Sequence, residues 1–223
     1  MSRKGELQIF VDAGFRENRA SSLPKSVGTA GIGVWIPAIA TGISMAAQSS
    51  DNNEAESLAI LLGVVIGNLM GLTQTRVLTD SRVCSDRLSS GELLSGSLLV
   101  VQNSLLAGGG AFEWRSREVT SLADFFATLA LEGKSLIATA SNAKNPADKF
   151  RPILKLRPRE KNPMKDATVK WLTPPSTYKS PLPSDFEKLG IAKIAPNIIT
   201  LLGHELPCAE FQFLIEHFRN RAG

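Results

Sequence analysis

The order of apolar patterns predicts a mixed α/β protein, a five-stranded sheet with helices packed on it and a basic, proline-rich tail behind. Three observations carry this. Runs of strand character come three in a row and then alternate with stretches of helical period. Of 223 residues, 43% are hydrophobic and 21% charged, the composition of a globular chain rather than a disordered, collagenous or rod-like one. Charge and proline both change near residue 133. Residues 1–133 carry 10 Lys/Arg against 13 Asp/Glu, whereas residues 134–223 carry 15 against 8 and hold 10 of the 12 prolines. The expected organisation is a first domain over residues 1–133 and a basic extension over 134–223.

Residues 7–15 (LQIFVDAGF) alternate and read as the first strand. Residues 27–36 and 40–48 read as the second and third, joined by a turn at Pro37–Gly42. Residues 53–72 switch to helical period, with Ala55, Leu58, Ala59, Leu62, Val65, Ile66 and Leu69 on one apolar face. TRVLTD (75–80) reads as a short buried strand and 82–107 as one or two helices broken near Ser90–Gly91. AFEWRS (111–116) is the fifth strand, and 120–132 a last helix ending before Gly133. The first three strands should form an antiparallel meander, with the two reached through helices adding in parallel. Beyond residue 133, nine Lys/Arg stand against three Asp/Glu in 144–170, with four prolines that forbid a long helix. Residues 174–183 read as a linker, and helices are expected around Asp185–Leu202 and Ala209–Arg221.

Several function classes fall away on composition. Cys84 and Cys208 make no disulfide framework or CxxC zinc site, and His204 and His217 are too few for a histidine-rich centre. A metal would have to be a hard ion held by carboxylates. The uncharged stretch 26–50 is broken by four glycines and Pro37, and 57–72 is short for a bilayer and contains Asn68, so no membrane span is expected. MSRKGELQIF has no signal-type apolar run, which sets the expectation of an intracellular protein, cytoplasmic or nuclear and not secreted.

Four acids stand out by position: Asp12 in the first strand, Glu56 at the start of the long helix, Asp80 ending the fourth strand and Asp124 at the start of the last helix. If strands one and four are neighbours, the four converge on one rim. Mutually repelling carboxylates there call for cations, and Mg²⁺ or Mn²⁺ suits oxygen-only ligands. Two such ions about 4 Å apart hydrolyse phosphodiesters. Each acid also has an ordinary explanation. Asn53 and Ser121 stand three residues before Glu56 and Asp124 as helix caps would. Asp80 could start a turn with Ser81, and Asp12 could precede a turn at Gly14.

From about residue 6 to 133 the chain resembles the ribonuclease H family, in its short form without the basic handle. IFVDAGF, GTAGIGVWI, DNNEAESLAI, LTDSRV and REVTSLADFFATLA resemble the family's successive motifs, in order and with all four acids in place. The resemblance implies a ribonuclease H-like fold and an endonuclease that cuts the RNA strand of RNA–DNA hybrids. It implies two Mg²⁺ ions, with Mn²⁺ able to replace them, at Asp12, Glu56, Asp80 and Asp124 as catalytic and metal-binding residues. Asn52 and Asn53 match its groove-contacting positions, and amides that donate and accept together suit that task. Ser81 and Arg117 are further expected nucleic-acid contacts.

The chain departs from the family pattern at several points. The phosphate-pocket threonine falls on Asp51, the loop Arg115-Ser116-Arg117-Glu118 carries no histidine, and Thr120 stands where an asparagine is common. Residues 83–110 offer only Arg87 as a cation. An alternative is therefore an inactive ribonuclease H-like binding or scaffolding domain of a retroelement, viral or other nucleic-acid-processing assembly. The basic extension is expected to meet either nucleic acid or a protein partner, because an acidic domain grips a polyanion poorly without help.

Overall fold

Three consecutive strands build the centre of the sheet. β1 (Leu7–Arg16) and β2 (Gly28–Ile36) are antiparallel, as are β2 and β3 (Thr41–Ser49). The computed structural model describes residues 7–17, 28–70, 75–90, 111–140, 146–157, 167–172, 191–195, 198–201 and 204–207. Between β2 and β3 the chain makes one 3-10 turn over Pro37–Ile39 and reverses through Ala40 at φ 47°. α1 (Asn52–Leu69) leads to β4 (Thr75–Thr79), which lies parallel to β1. α2 (Arg82–Ser89) stops where the break was expected, and the rest of the predicted helical stretch lies outside the described residues. β5 (Ala111–Trp114) adds parallel to β4, and α3 (Arg117–Leu131) closes the predicted series.

The sheet has seven strands rather than five, in the order β5-β4-β1-β2-β3-β6-β7. β6 (Leu136–Ala140) and β7 (Ala167–Trp171) both come from beyond residue 133 and extend the sheet antiparallel from β3. Averaging charge and proline over 134–223 concealed LIATA, a five-residue apolar run. An open β3 edge would leave a row of unpaired N–H and C=O groups, which β6 satisfies. Among the described residues of the stretch 144–170, helix is short. α4 (Pro146–Phe150) is one short helix, followed by a 3-10 turn over Arg151–Lys155.

Alternation along β1 serves two cores. Ile9 and Val11 pack in the α1 core, whereas Phe10 joins Leu78, Phe126 and Phe150 in the α3 core. α1 is buried on every side from Ala55 to Ile66, broader than the single predicted face. Phe150 is fully buried, edge-on to Trp35 at 5.6 Å and to Phe126 at 5.3 Å. Ile153, Leu156 and Val169 are buried with it, so this part of the basic tail is built into the core.

The described residues of the helix predicted around Asp185–Leu202, 191–195 and 198–201, are strands instead. β8 (Ile191–Ala195), β9 (Ile198–Leu201) and β10 (His204–Pro207) make a separate antiparallel sheet. Pro196 lacks the N–H a helix needs, and the isoleucines around it favour strand. The expected linker at 174–183 and helix at 209–221 lie outside the described residues. Among the described residues no helix is long and apolar enough to cross a membrane.

Candidate active site

The parallel register Phe10↔Leu78, continued two residues on, sets Asp12 beside Asp80. Asp12 lies mid-strand, paired with Gly33, because β1 runs on to Arg16; the Gly14 turn that would have explained it is absent. Asp80 follows the last residue of β4, and Ser81 behind it caps α2, accepting the Cys84 N–H at 3.4 Å. Glu56 is the fifth residue of α1 and buried. The α1 cap is Asp51, not Asn53. Its carboxylate accepts the Glu54 N–H at 2.9 Å, while Glu54 reaches back to the Ser50 N–H and to the Ser49 hydroxyl. Capping therefore accounts for Asp51 and Glu54 and leaves Glu56 without a capping role.

One carboxylate oxygen from each of Asp12, Glu56 and Asp80 lies within 4.8 Å of the other two. Burial, then the charges of Asp80 and Asp124, push the Asp12 carboxyl up to about 8, against the pull of the Ala13 N–H that its Oδ1 accepts at 2.8 Å. Burial, then Asp12 and Asp80, push Glu56 up to about 9, with Arg117 opposing. Glu56 Oε2 is buried and accepts no hydrogen bond. An orphaned acceptor beside two further acids costs free energy that a cation would offset. The oxygen-only donor set, the orphaned oxygen and the resisted ionisation all fit a hard divalent ion held by Asp12, Glu56 and Asp80.

Asp124 stands at the rim of this group. α3 begins at Arg117, earlier than predicted, so Asp124 lies in the second turn and is no cap. Its Oδ1 accepts from Arg117 Nη2 at 2.8 Å, an exposed ion pair that holds the arginine pKa above its ordinary value. Asn52 and Asn53 are exposed at the entrance of α1. Thr120 is fully buried, its hydroxyl donating to the Arg117 carbonyl at 3.3 Å.

Five strands in the order β5-β4-β1-β2-β3, three antiparallel and two parallel, carry these acids at one end. The fold is ribonuclease H-like. No protein-family model and no curated protein sequence matches the chain. Among solved structures it is similar to the ribonuclease H1 of the halophilic archaeon Halobacterium salinarum, at 18% identity over 58% of this chain and 99% of that one, with a TM-score of 0.41. It is also similar to the N-terminal ribonuclease H domain of a Mycobacterium tuberculosis protein, solved as a fusion with maltose-binding protein, at 20% identity over 57% and 95% of the two chains (TM-score 0.41). LC11-RNase H1, solved in complex with an RNA/DNA hybrid, is 14% identical over 57% and 97%, with a TM-score of 0.42.

Sequence reasoning passed over Trp114. Its indole N–H donates to the Asp80 carbonyl at 3.1 Å, and the Arg115 N–H donates to the Thr79 carbonyl at 2.8 Å. The signal was an aromatic in the last position of a strand predicted to run beside the one ending in Asp80.

Proposed function

We propose that this chain is a metal-dependent endonuclease that hydrolyses the RNA strand of RNA–DNA hybrids by two-metal-ion chemistry. The observation that carries the reading is the meeting of Asp12, Glu56 and Asp80, from three distant segments, around an orphaned buried oxygen. Asp12, Glu56 and Asp80 would hold Mg²⁺, or Mn²⁺ in its place, with Asp124 completing the set from α3. Bound divalent ions would supply an activated water and charge to stabilise the leaving oxygen.

The chain's own residues have distinct tasks in this reading. Burial keeps Asp12 and Glu56 protonated without a cation, so their protons are released when a cation binds. Arg117 holds the Asp124 carboxylate and presents its exposed guanidinium to the substrate phosphate. Asn52 and Asn53, exposed beside Glu56, contact the minor groove of the hybrid. Ser81 follows Asp80 and contacts the backbone. The basic segment beyond residue 133 adds contacts to nucleic acid or to a protein partner.

The test is cleavage of a labelled RNA–DNA hybrid beside single-stranded RNA and duplex DNA, with and without Mg²⁺ or Mn²⁺. Cleavage of the RNA in the hybrid alone, and only with the ion, is the expected outcome. No cleavage of any of the three under either ion would overturn it.

A further inference from the structure

We infer that Trp114 is a positioning residue for Asp80: its indole N–H holds the backbone of the turn from which the Asp80 carboxylate reaches the ion site. This deepens the proposed function and rests on its reading of Asp80 as an ion ligand. Asp80 lies one residue past β4, beyond the Thr79↔Trp114 pair that ends the ladder with β5. On the other side, the ladder with β1 stops at Phe10↔Leu78. Strand pairing therefore ends on both sides before it reaches the acid.

Other hydrogen bonds take over where the ladders stop. The Arg115 N–H donates to the Thr79 carbonyl at 2.8 Å, and Trp114 Nε1 donates to the Asp80 carbonyl at 3.1 Å. The Ser81 N–H donates to the Thr79 hydroxyl and the Ser85 N–H to the Ser81 carbonyl, each at 3.1 Å. The carbonyls of Thr79, Asp80 and Ser81 are thus held by the chain after β5, by the Trp114 side chain and by α2. The middle one depends on a side chain. That side chain is itself fixed. Trp114 is the last residue of β5, and Arg82, the first residue of α2, lays its guanidinium 4.6 Å from the ring centre.

Asp80 needs this hold more than its two neighbours do. Asp12 sits inside β1, paired with Gly33, and Glu56 sits inside α1, so regular elements fix their backbones. Asp80 stands on a turn and is half-buried, whereas the other two are buried. Its carboxylate oxygen lies within 4.8 Å of theirs, and repulsion among the three drives the most weakly anchored of them outward. Water can replace the indole hydrogen bond, but it leaves the carbonyl free to turn. Partners that orient a ligand from behind set ion affinity nearly as strongly as the ligands themselves.

The experiment measures Mn²⁺ affinity of the full chain at about pH 8, from the paramagnetic resonance of the free ion and well below the melting temperature, in the parent, Trp114→Phe, Trp114→Leu and Trp114→His. Phenylalanine keeps a ring for Arg82 but has no N–H, and leucine has neither. Both should bind Mn²⁺ about tenfold more weakly, and whichever of them folds decides the point. Histidine places Nε2–H the same number of bonds from Cβ as the indole N–H and is neutral at that pH, so it should recover most of the loss. Affinity for labelled RNA–DNA hybrid with a chelator present should not change in any variant, because Trp114 acts through Asp80 rather than on the substrate. Parent-like Mn²⁺ affinity in the variants without the N–H overturns the inference, whatever their melting temperatures, and so does a histidine variant as weak as phenylalanine. Weakened hybrid binding with unchanged Mn²⁺ affinity makes Trp114 a substrate contact and overturns it too. If the Mn²⁺ pattern is as expected and no nucleic acid is cut, the positioning role stands and the nuclease reading falls. If the parent takes up no Mn²⁺, both fall.

Discussion

Gly33 faces Asp12 across the β1–β2 ladder, and the side chain it lacks is what admits α3 to the site. A Cβ at Gly33 would collide with the Ala123 carbonyl oxygen and the Ala127 nitrogen. Asp124 follows Ala123, so the same close approach brings it near enough to Asp12 to raise its pKa. One glycine thus links strand pairing, helix packing and the electrostatics of the acid cluster.

Gly33→Ala should therefore destabilise the fold by about 2 kcal/mol or more, since the obstacle is helix backbone rather than a movable side chain. Chemical denaturation reads the loss. Divalent-ion affinity should fall with it, because α3 has to retreat and take Asp124 along.

Asp80→Asn removes a charge that raises both Asp12 and Glu56. Ion-dependent cleavage should be lost while melting temperature stays the same or rises in ion-free buffer. Retained cleavage in this variant would contradict the role given to Asp80.

Stability of the ion-free protein should fall as pH rises. Burial pushes Asp12 up to about 8 and Glu56 up to about 9 in the folded state, whereas carboxyls in an unfolded chain titrate near about 4, so between about pH 5 and 8 the folded state holds protons that the unfolded state has released. Unfolding free energy then drops with pH, by about 1.4 kcal/mol per pH unit for each of the two groups. Saturating Mg²⁺ or Mn²⁺ should flatten this slope and raise the melting temperature most at high pH. Thermal melts from pH 5 to 9, with and without the ion, measure both effects.

Phe150→Ala should cost about 3 kcal/mol or more, because the ring fills the space between Trp35 and Phe126. Ending the chain at Gly133 should be worse, since it removes this ring and also the partner of the β3 edge. A truncated chain as stable as the full one would show that the tail is dispensable to the core.

Elements with a strong local signature were legible in the sequence. Period-two alternation in LQIFVDAGF and the long apolar period of α1 placed β1 and α1 within one to three residues of their observed ends. Three of the four acids that the motif order singles out, Asp12, Glu56 and Asp80, do lie together. Weak local signals failed. LIATA is too short to stand out inside a basic tail, and the apolar residues on either side of Pro196 fit a helical period yet form the strands 191–195 and 198–201. Caps were also misassigned, because Asp51, Asn52 and Asn53 are all good caps and only backbone geometry chooses among them.

Sequence alone determined which residues carry charge, which runs bury themselves and in what order the elements come, since these depend on neighbours along the chain. Only the tertiary structure decided that Asp12, Glu56 and Asp80 share one small volume, with Asp124 brought near Asp12, and that residues past 133 complete the sheet. Those outcomes depend on strand register and on how closely a helix approaches a glycine, contacts between segments far apart in the chain whose spacing no local pattern encodes.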